Sequence, residues 1–311
     1  MEEKKKFRLV TRSDFDGLVC AVLLRELALI DDITFVHPKD MQDGKVAITG
    51  NDITTNLPYV EGVHLAFDHH LSETLRLETK PDNYIIDPDA PSTSRVLYNY
   101  YGGKAKFPNV PGEMLVAVDK ADSAQFTEEE ILHPEGWVLL HFIMDPRTGL
   151  GRFHDFRISN YNLMLDLIGH CQDYQVAEIL QLPDVKERVD IYVEYQEKFT
   201  DQLKRCSKVY DNLVVLDLRD EDVVYPGNRF MIYALFPQCN ISIHVMWGKQ
   251  KQNTDFAVGK SIFNRTSKTN IGELMLIYGG GGHANAGTCQ ADTDQADDVL
   301  KELIEKITAQ G

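Results

Sequence analysis

Four short segments place carboxylates or imidazoles close behind stretches that read as strands. Asp14 and Asp16 stand two residues apart in Ser13-Asp14-Phe15-Asp16-Gly17. An extended turn there points both carboxylates to one side, and Gly17 lets the chain enter a helix tightly. Asp52 ends Gly50-Asn51-Asp52, Asp68-His69-His70 follows another apolar run, and Asp119 and Asp122 lie in Val118-Asp119-Lys120-Ala121-Asp122-Ser123. Carboxylates gathered in one place repel unless cations balance them. An oxygen-rich set with one or two imidazoles suits manganese or magnesium. Two such ions would polarise a phosphoryl oxygen and generate hydroxide near neutral pH. The alternative use of single residues here is helix capping, by Ser13 or Asp16 for one helix and Asp52 for the next. Capping does not account for the paired histidines behind Asp68, which need partners if buried.

A second chemical signal is the run Gly279-Gly280-Gly281-Gly282-His283-Ala284-Asn285-Ala286-Gly287. Four consecutive glycines are costly in chain entropy and make sense where backbone N–H groups approach a ligand closely. A phosphate or a terminal nucleotide fits, with His283 as a donor. Arg265 could add a charged fork for phosphate, and Tyr278 a stacking platform for a base.

These groups need a scaffold, and the hydrophobic pattern supplies one. Phe7 to Thr11, Ile33 to Val36, Lys45 to Thr49, Val63 to Phe67 and Tyr84 to Ile86 read as strands. Gly17 to Ile30 and Ser92 to Tyr101 read as helices among them. That alternation predicts an α/β fold, with a parallel, doubly wound sheet in the N-terminal domain and ligands beyond the carboxyl ends of the strands. Gly112 to about Arg205 reads as mostly helical. Strand signals return at Leu213 to Leu218, Ile241 to Trp247 and Phe256 to Phe263, which predicts a second, smaller mixed α/β domain. The expected division is 1–184, a helical linker 185–209, and 210–311.

The chain of 311 residues carries a formal charge of -16. A protein that tracks a long nucleic-acid backbone shows the opposite balance, so a short anionic substrate is expected, and no long nucleic acid. The five cysteines, Cys20, Cys171, Cys206, Cys239 and Cys289, form no C-x-x-C pair and read as buried thiols in a reducing compartment. No secretory signal and no membrane-spanning run is expected, which points to the cytoplasm. Association as a homodimer is left open.

Taken together, the segments resemble the DHH phosphoesterase superfamily, in its two-domain form with a DHH-associated C-terminal domain. Asp68-His69-His70 matches the name-giving motif, Asp14-Phe15-Asp16 the first motif, Asp52 the second, and Asp122, better than Asp119, the fourth. Gly279 to Gly287 matches the signature of the second domain, and Pro91-Ser92-Thr93-Ser94 also recurs. The resemblance spans nearly the whole chain. It implies an active site in a cleft between the domains and two manganese or magnesium ions. Asp14 would bind the first ion, Asp52 would bridge, and Asp16, His69 and Asp122 would bind the second. His70 would contact the scissile phosphate, with Arg265, Gly280, Gly281, Gly282 and His283 on the remote phosphate or nucleotide. Asp52 and His69 would then be catalytic along with His70.

One departure stands out. The family carries a metal-binding histidine four residues before the first motif aspartate, and this chain has Val10 there. His37 and His64 are candidate replacements. Arg147, Arg152 and His154, in an insert like those of exopolyphosphatase-like proteins, either face the cleft or are solvated. The leading expectation is a metal-dependent phosphoesterase for short oligonucleotides, dinucleotides or nucleoside bisphosphates, for which a nucleotide substrate is favoured. An exopolyphosphatase or pyrophosphatase and a non-catalytic nucleotide-binding protein with a degraded metal site remain open. On this reading truncation before Tyr210 costs mainly substrate binding.

Overall fold

In a computed structural model, residues 5–74, 77, 79–152 and 155–311 are described, so His154 lies outside the described residues. The elements in chain order are β1 (Phe7–Thr11), α1 (Phe15–Glu26), β2 (Ile30–Phe35), α2 (Pro38–Gln42), β3 (Asp52–Thr55), β4 (Leu65–Asp68), α3 (Leu71–Thr74), β5 (Tyr84–Ile86) and α4 (Thr93–Tyr100). A helical stretch follows: α5 (Gly112–Ser123), α6 (Glu128–Leu132), α7 (Gly136–Met144), α8 (Asn160–Asp173), α9 (Val176–Ile179) and α10 (Pro183–Cys206). Then come β6 (Ser207–Tyr210), β7 (Leu213–Asp217), α11 (Met231–Leu235), β8 (Ile241–Trp247), β9 (Asn253–Lys260), α12 (Ile271–Ile277), β10 (Gly281–His283), β11 (Ala286–Asp292) and α13 (Ala296–Gln310).

The chain forms two compact units, one of residues 1–126 and 134–191, the other of 127–133 and 192–311. The first is built on a five-stranded sheet, all parallel, in the order β2-β1-β3-β4-β5. From β1 the chain goes outward to β2 and then returns to the other side for β3, so the direction of winding reverses between β1 and β3. The carboxyl ends of those two strands are the natural ligand position of such a sheet. Leu9 and Val10 of β1 and Leu18, Val19, Val22 and Leu23 of α1 are buried almost completely. Each such side chain stabilises the fold by about 1.5–3 kcal/mol.

The β1-to-α1 turn is unusually tight. A Cβ on Gly17 would lie 2.0 Å from the Arg12 carbonyl oxygen, so no other residue fits. Asp14 caps α1 by accepting from the Gly17 amide at 2.9 Å.

The second unit holds a six-stranded mixed sheet, β10-β11-β9-β8-β7-β6, in which only β7 and β8 run parallel. Its core joins Leu213, Ile241, Ile243, Phe256 and Val258 to Ile271 and Met275 of α12 and Leu303 and Ile307 of α13. The short helix α6 belongs here: Ile131 is fully buried, and its carbonyl accepts from the Asn228 amide at 3.3 Å.

One strand expectation is corrected. Lys45 to Thr49 forms no strand, and the strand of this region is Asp52–Thr55. Val46 and Ile48 are apolar for another reason: they pack over Val10, Met41 and Leu57.

Candidate metal centre and active site

The carboxyl ends of β1, β3 and β4 place Asp14, Asn56 and Asp68 along one rim. Asp16, in the first turn of α1, is buried. Its Oδ1 accepts from the Ser94 amide at 2.8 Å and the Ser94 hydroxyl at 2.5 Å, and its Oδ2 from the Thr93 amide at 3.0 Å. The N-terminus of α4, capped by Ser92, thus grips this carboxylate. Burial, and next the Asp122 charge, push Asp16 up to about 7.

His69 follows β4 directly. Its Nδ1 donates to the Ala90 carbonyl at 3.1 Å, which leaves the Nε2 lone pair for the site. Nε2 lies 2.6 Å from Oδ2 of Asp122, in the last turn of α5. The contact lacks hydrogen-bond geometry, and Nε2 is buried with no hydrogen-bond partner. Ligand atoms of Asp16, His69 and Asp122 all fall within 4.8 Å of one another. Two carboxylates around an outward imidazole lone pair suit a divalent cation, and these three residues fit one. Burial alone would lower His69, but the Asp122 carboxylate outweighs it and raises the imidazole to about 9. The same pairing holds Asp122 below its usual range against burial.

Asp68 serves its neighbours. Fully buried, it accepts from the amides of His69 and His70 at 2.8 and 3.2 Å, from His70 Nδ1 at 2.7 Å and from the Tyr84 hydroxyl at 3.0 Å. Burial opposes a charge on His70, yet the Asp68 hydrogen bond prevails and raises its pKa. The Nδ1 hydrogen is thus committed to Asp68, which fixes the ring and leaves Nε2 outside that bond. Asp119 plays a separate part, accepting from Ser92 Oγ at 2.8 Å and from Arg95 Nε at 3.0 Å.

The structure does not bring Asp52 to this rim, and its assignment as a bridging ligand is corrected. Asp52 begins β3, opposite Arg8 in the register, whereas Thr11 at the end of β1 is opposite Thr55. The four-residue run from Asp52 to Asn56 covers about 13 Å at ~3.3 Å per residue. The Asp52 carboxylate binds Arg8 Nε at 2.7 Å and the Thr49 amide at 2.6 Å. Burial would raise its pKa, but Arg8 and then Thr49 bring it below the ordinary carboxylate value. It is a structural ion pair at the opposite end of the sheet.

Of the candidate replacements for the missing histidine, His64 precedes β4, at the amino ends of the strands, while His37 follows β2. His37 caps α2 through Nδ1, and His64 stacks on Phe7 with ring centroids 4.1 Å apart. Val10 is buried beside Met41 and Leu57. Sequence reasoning missed Asn56 and Arg12. The Asn56 Nδ2 donates to both Asp14 oxygens at 3.1 and 3.3 Å, and Arg12 Nε lies 3.0 Å from Asp14 Oδ2. The signal available was Asn56 itself, a polar residue closing the β-branched run Ile53-Thr54-Thr55. Arg147 pairs with Asp145 at 2.7 Å and acts electrostatically on Asp14 and Asp122. Burial, ahead of every charge, raises Asp14.

In the second unit, the glycines have an internal explanation. A Cβ on Gly280 would lie 2.1 Å from the Thr288 carbonyl oxygen, and one on Gly282 2.3 Å from that of Ala286. Gly281 has open space around its missing Cβ. The close approach is therefore between β10 and its own neighbours at 280 and 282, while Gly281 and the exposed His283 remain accessible. The Tyr278 hydroxyl donates to Glu302 at 3.0 Å and accepts from Lys306 at 2.7 Å, and Lys306 Nζ lies 4.8 Å from the ring centroid. Arg265 Nε donates to the Ile262 carbonyl at 3.0 Å.

No helix among the described residues is long and apolar enough to cross a membrane, and all five cysteines are free thiols. Comparison with protein-family models and with curated proteins finds no match. Among solved structures, the chain is similar to the pGpG-specific phosphodiesterase PggH from Vibrio cholerae. Identity is 63% over 98% of this chain and 100% of that one, with a TM-score of 0.89. RecJ from Thermus thermophilus, solved with Mn2+, has 14% identity and a TM-score of 0.50 over 98% of this chain and 52% of its own. That likeness is one of fold alone. The chain belongs to the DHH phosphoesterase superfamily. As a DHH phosphoesterase it is a hydrolase of phosphate esters, with an acidic cluster suited to a divalent cation.

Proposed function

We propose that this DHH phosphoesterase hydrolyses the internal phosphodiester of the linear dinucleotide pGpG, giving two molecules of 5′-GMP. The observation that carries the reading is the 63% identity, end to end, with a pGpG-specific phosphodiesterase. The Asp16, His69 and Asp122 triad is the chemical support. A manganese or magnesium ion held there would lower the pKa of a bound water and polarise the phosphoryl oxygen. The α4 N-terminus fixes Asp16, and Ala90 fixes the His69 ring, so the ligands are oriented in advance. His70, oriented through Nδ1 by Asp68, is placed to donate from Nε2 to a phosphoryl oxygen or the departing O3′ when protonated. Arg12 and Arg147 supply positive charge beside Asp14. Half-buried Gly281 and exposed His283 remain candidates for the terminal phosphate, through an amide and an imidazole. A short substrate also accords with the net charge of -16.

The test is manganese-dependent turnover of pGpG beside pApA, a longer oligoribonucleotide, a nucleoside bisphosphate and polyphosphate, with products separated by chromatography. Release of 5′-GMP from pGpG at a kcat/KM well above every competitor is expected. Preference for polyphosphate or for the bisphosphate would refute the reading.

A further inference from the structure

We infer that this chain holds one divalent cation rather than two, and that its own nitrogen donors take the place of the second. The inference deepens the proposed metal-dependent hydrolysis and rests on it. A second ion beside Asp14 would need oxygen or imidazole ligands of its own. The position four residues before Asp14 is Val10, whose side chain lies in the apolar core. Asp52, the carboxylate expected to bridge, is tied to Arg8 at the start of its strand. Where β3 reaches the rim, the residue is the buried Asn56.

Asp14 is already surrounded by N–H groups: Gly17 at 2.9 Å, Asn56 Nδ2 at 3.1 and 3.3 Å, and Arg12 Nε at 3.0 Å. The amide orientation of Asn56 follows from charge, since the reverse would set Oδ1 against the carboxylate. A cation entering here would have to expel the Arg12 guanidinium and face amide hydrogens. The positive charge that a second ion brings comes instead from Arg12, with Arg147 also within electrostatic reach of Asp14 and Asp122. The four carboxylates Asp14, Asp16, Asp122 and Asp145 are then balanced by one dication and the two guanidiniums of Arg12 and Arg147.

The experiment uses the full-length protein, equilibrated with Mn2+ by dialysis, with bound manganese counted by elemental analysis and its spin state read by electron paramagnetic resonance. About one ion per chain, with the six-line signal of an isolated ion, is expected. Asp16→Asn should lose it. Asn56→Asp should raise the count towards two and add an exchange-coupled signal. Two coupled ions in the unaltered chain overturn the inference, as does bound manganese that survives Asp16→Asn. Turnover of pGpG, measured on the same samples, keeps the two readings apart. Two ions with turnover sinks only the count, and one ion without turnover sinks only the hydrolysis.

Discussion

His70 shows how one side chain gains its function from a neighbour it never shares with substrate. The Asp68 carboxylate is spent wholly on hydrogen bonds to the protein, and the short bond to His70 Nδ1 sets the tilt of that ring and raises its pKa. His70→Ala is expected to lower kcat on pGpG by about 100-fold or more while manganese binding persists, because proton donation is lost and the triad is not. Steady-state kinetics with a parallel metal count check it, and unchanged kcat would refute the donor role. Arg12→Ala should act differently. It removes charge that attracts the anionic substrate, so KM should rise by about tenfold with a smaller change in kcat. At this scale the sequence was most informative. Asp16, His69 and Asp122 come together, the first two just past the ends of β1 and β4 and Asp122 in the last turn of α5. Asn56 was not legible: an asparagine after a β-branched run reads as a turn residue, and only the parallel register shows that it ends at the metal rim.

Elements decide which carboxylate reaches which rim. Reading Lys45 to Thr49 as a strand moved the strand end several residues early and made Asp52 look like a rim residue. Val46 and Ile48 are apolar because they cover the Val10 cluster, a use that short-range periodicity does not distinguish from strand formation. The structure therefore predicts that Asp52→Asn retains manganese binding and most activity but loses stability. Breaking a charged hydrogen bond to Arg8 should cost about 2 kcal/mol at pH 7, measured by urea unfolding. The pH dependence has a definite sign. The folded-state pKa of Asp52 is depressed, so its contribution is present above the unfolded value near ~3.9 and is lost as pH falls through the folded value. The gap between wild type and Asp52→Asn should close in acid. In the second unit a pair of substitutions separates packing from binding. Gly280→Ala should destabilise by about 1–3 kcal/mol through overlap with Thr288. Gly281→Ala should leave the unfolding midpoint near that of wild type and raise KM. A Gly281→Ala variant with unaltered KM would remove this loop from the substrate site.

For the whole molecule, the alternation of strands and helices foretold an α/β chain with a parallel sheet and a mixed one, and both are present. The membership of 127–133 in the second unit was not foretold, because nothing local in Thr127-Glu128-Glu129-Glu130-Ile131 says where Ile131 will be buried. It changes the outcome of truncation. A chain ending at residue 209 was expected to lose mainly substrate affinity. It would also strip Ile131 of its surroundings, including the Asn228 bond to its carbonyl. Such a fragment should aggregate or show a markedly lower midpoint in thermal melting; a soluble fragment with wild-type stability would contradict this.

The same arrangement bears on biosynthesis. A ribosome releases residues 127–133 long before the partners that enclose them have been made, so α6 waits, exposed, through the synthesis of about a hundred further residues. At ordinary ribosomal elongation speeds that delay is on the order of ten seconds. The acidic Glu128, Glu129 and Glu130 flank the one apolar side chain most at risk in that interval and keep the nascent segment in solvent until its shelter arrives.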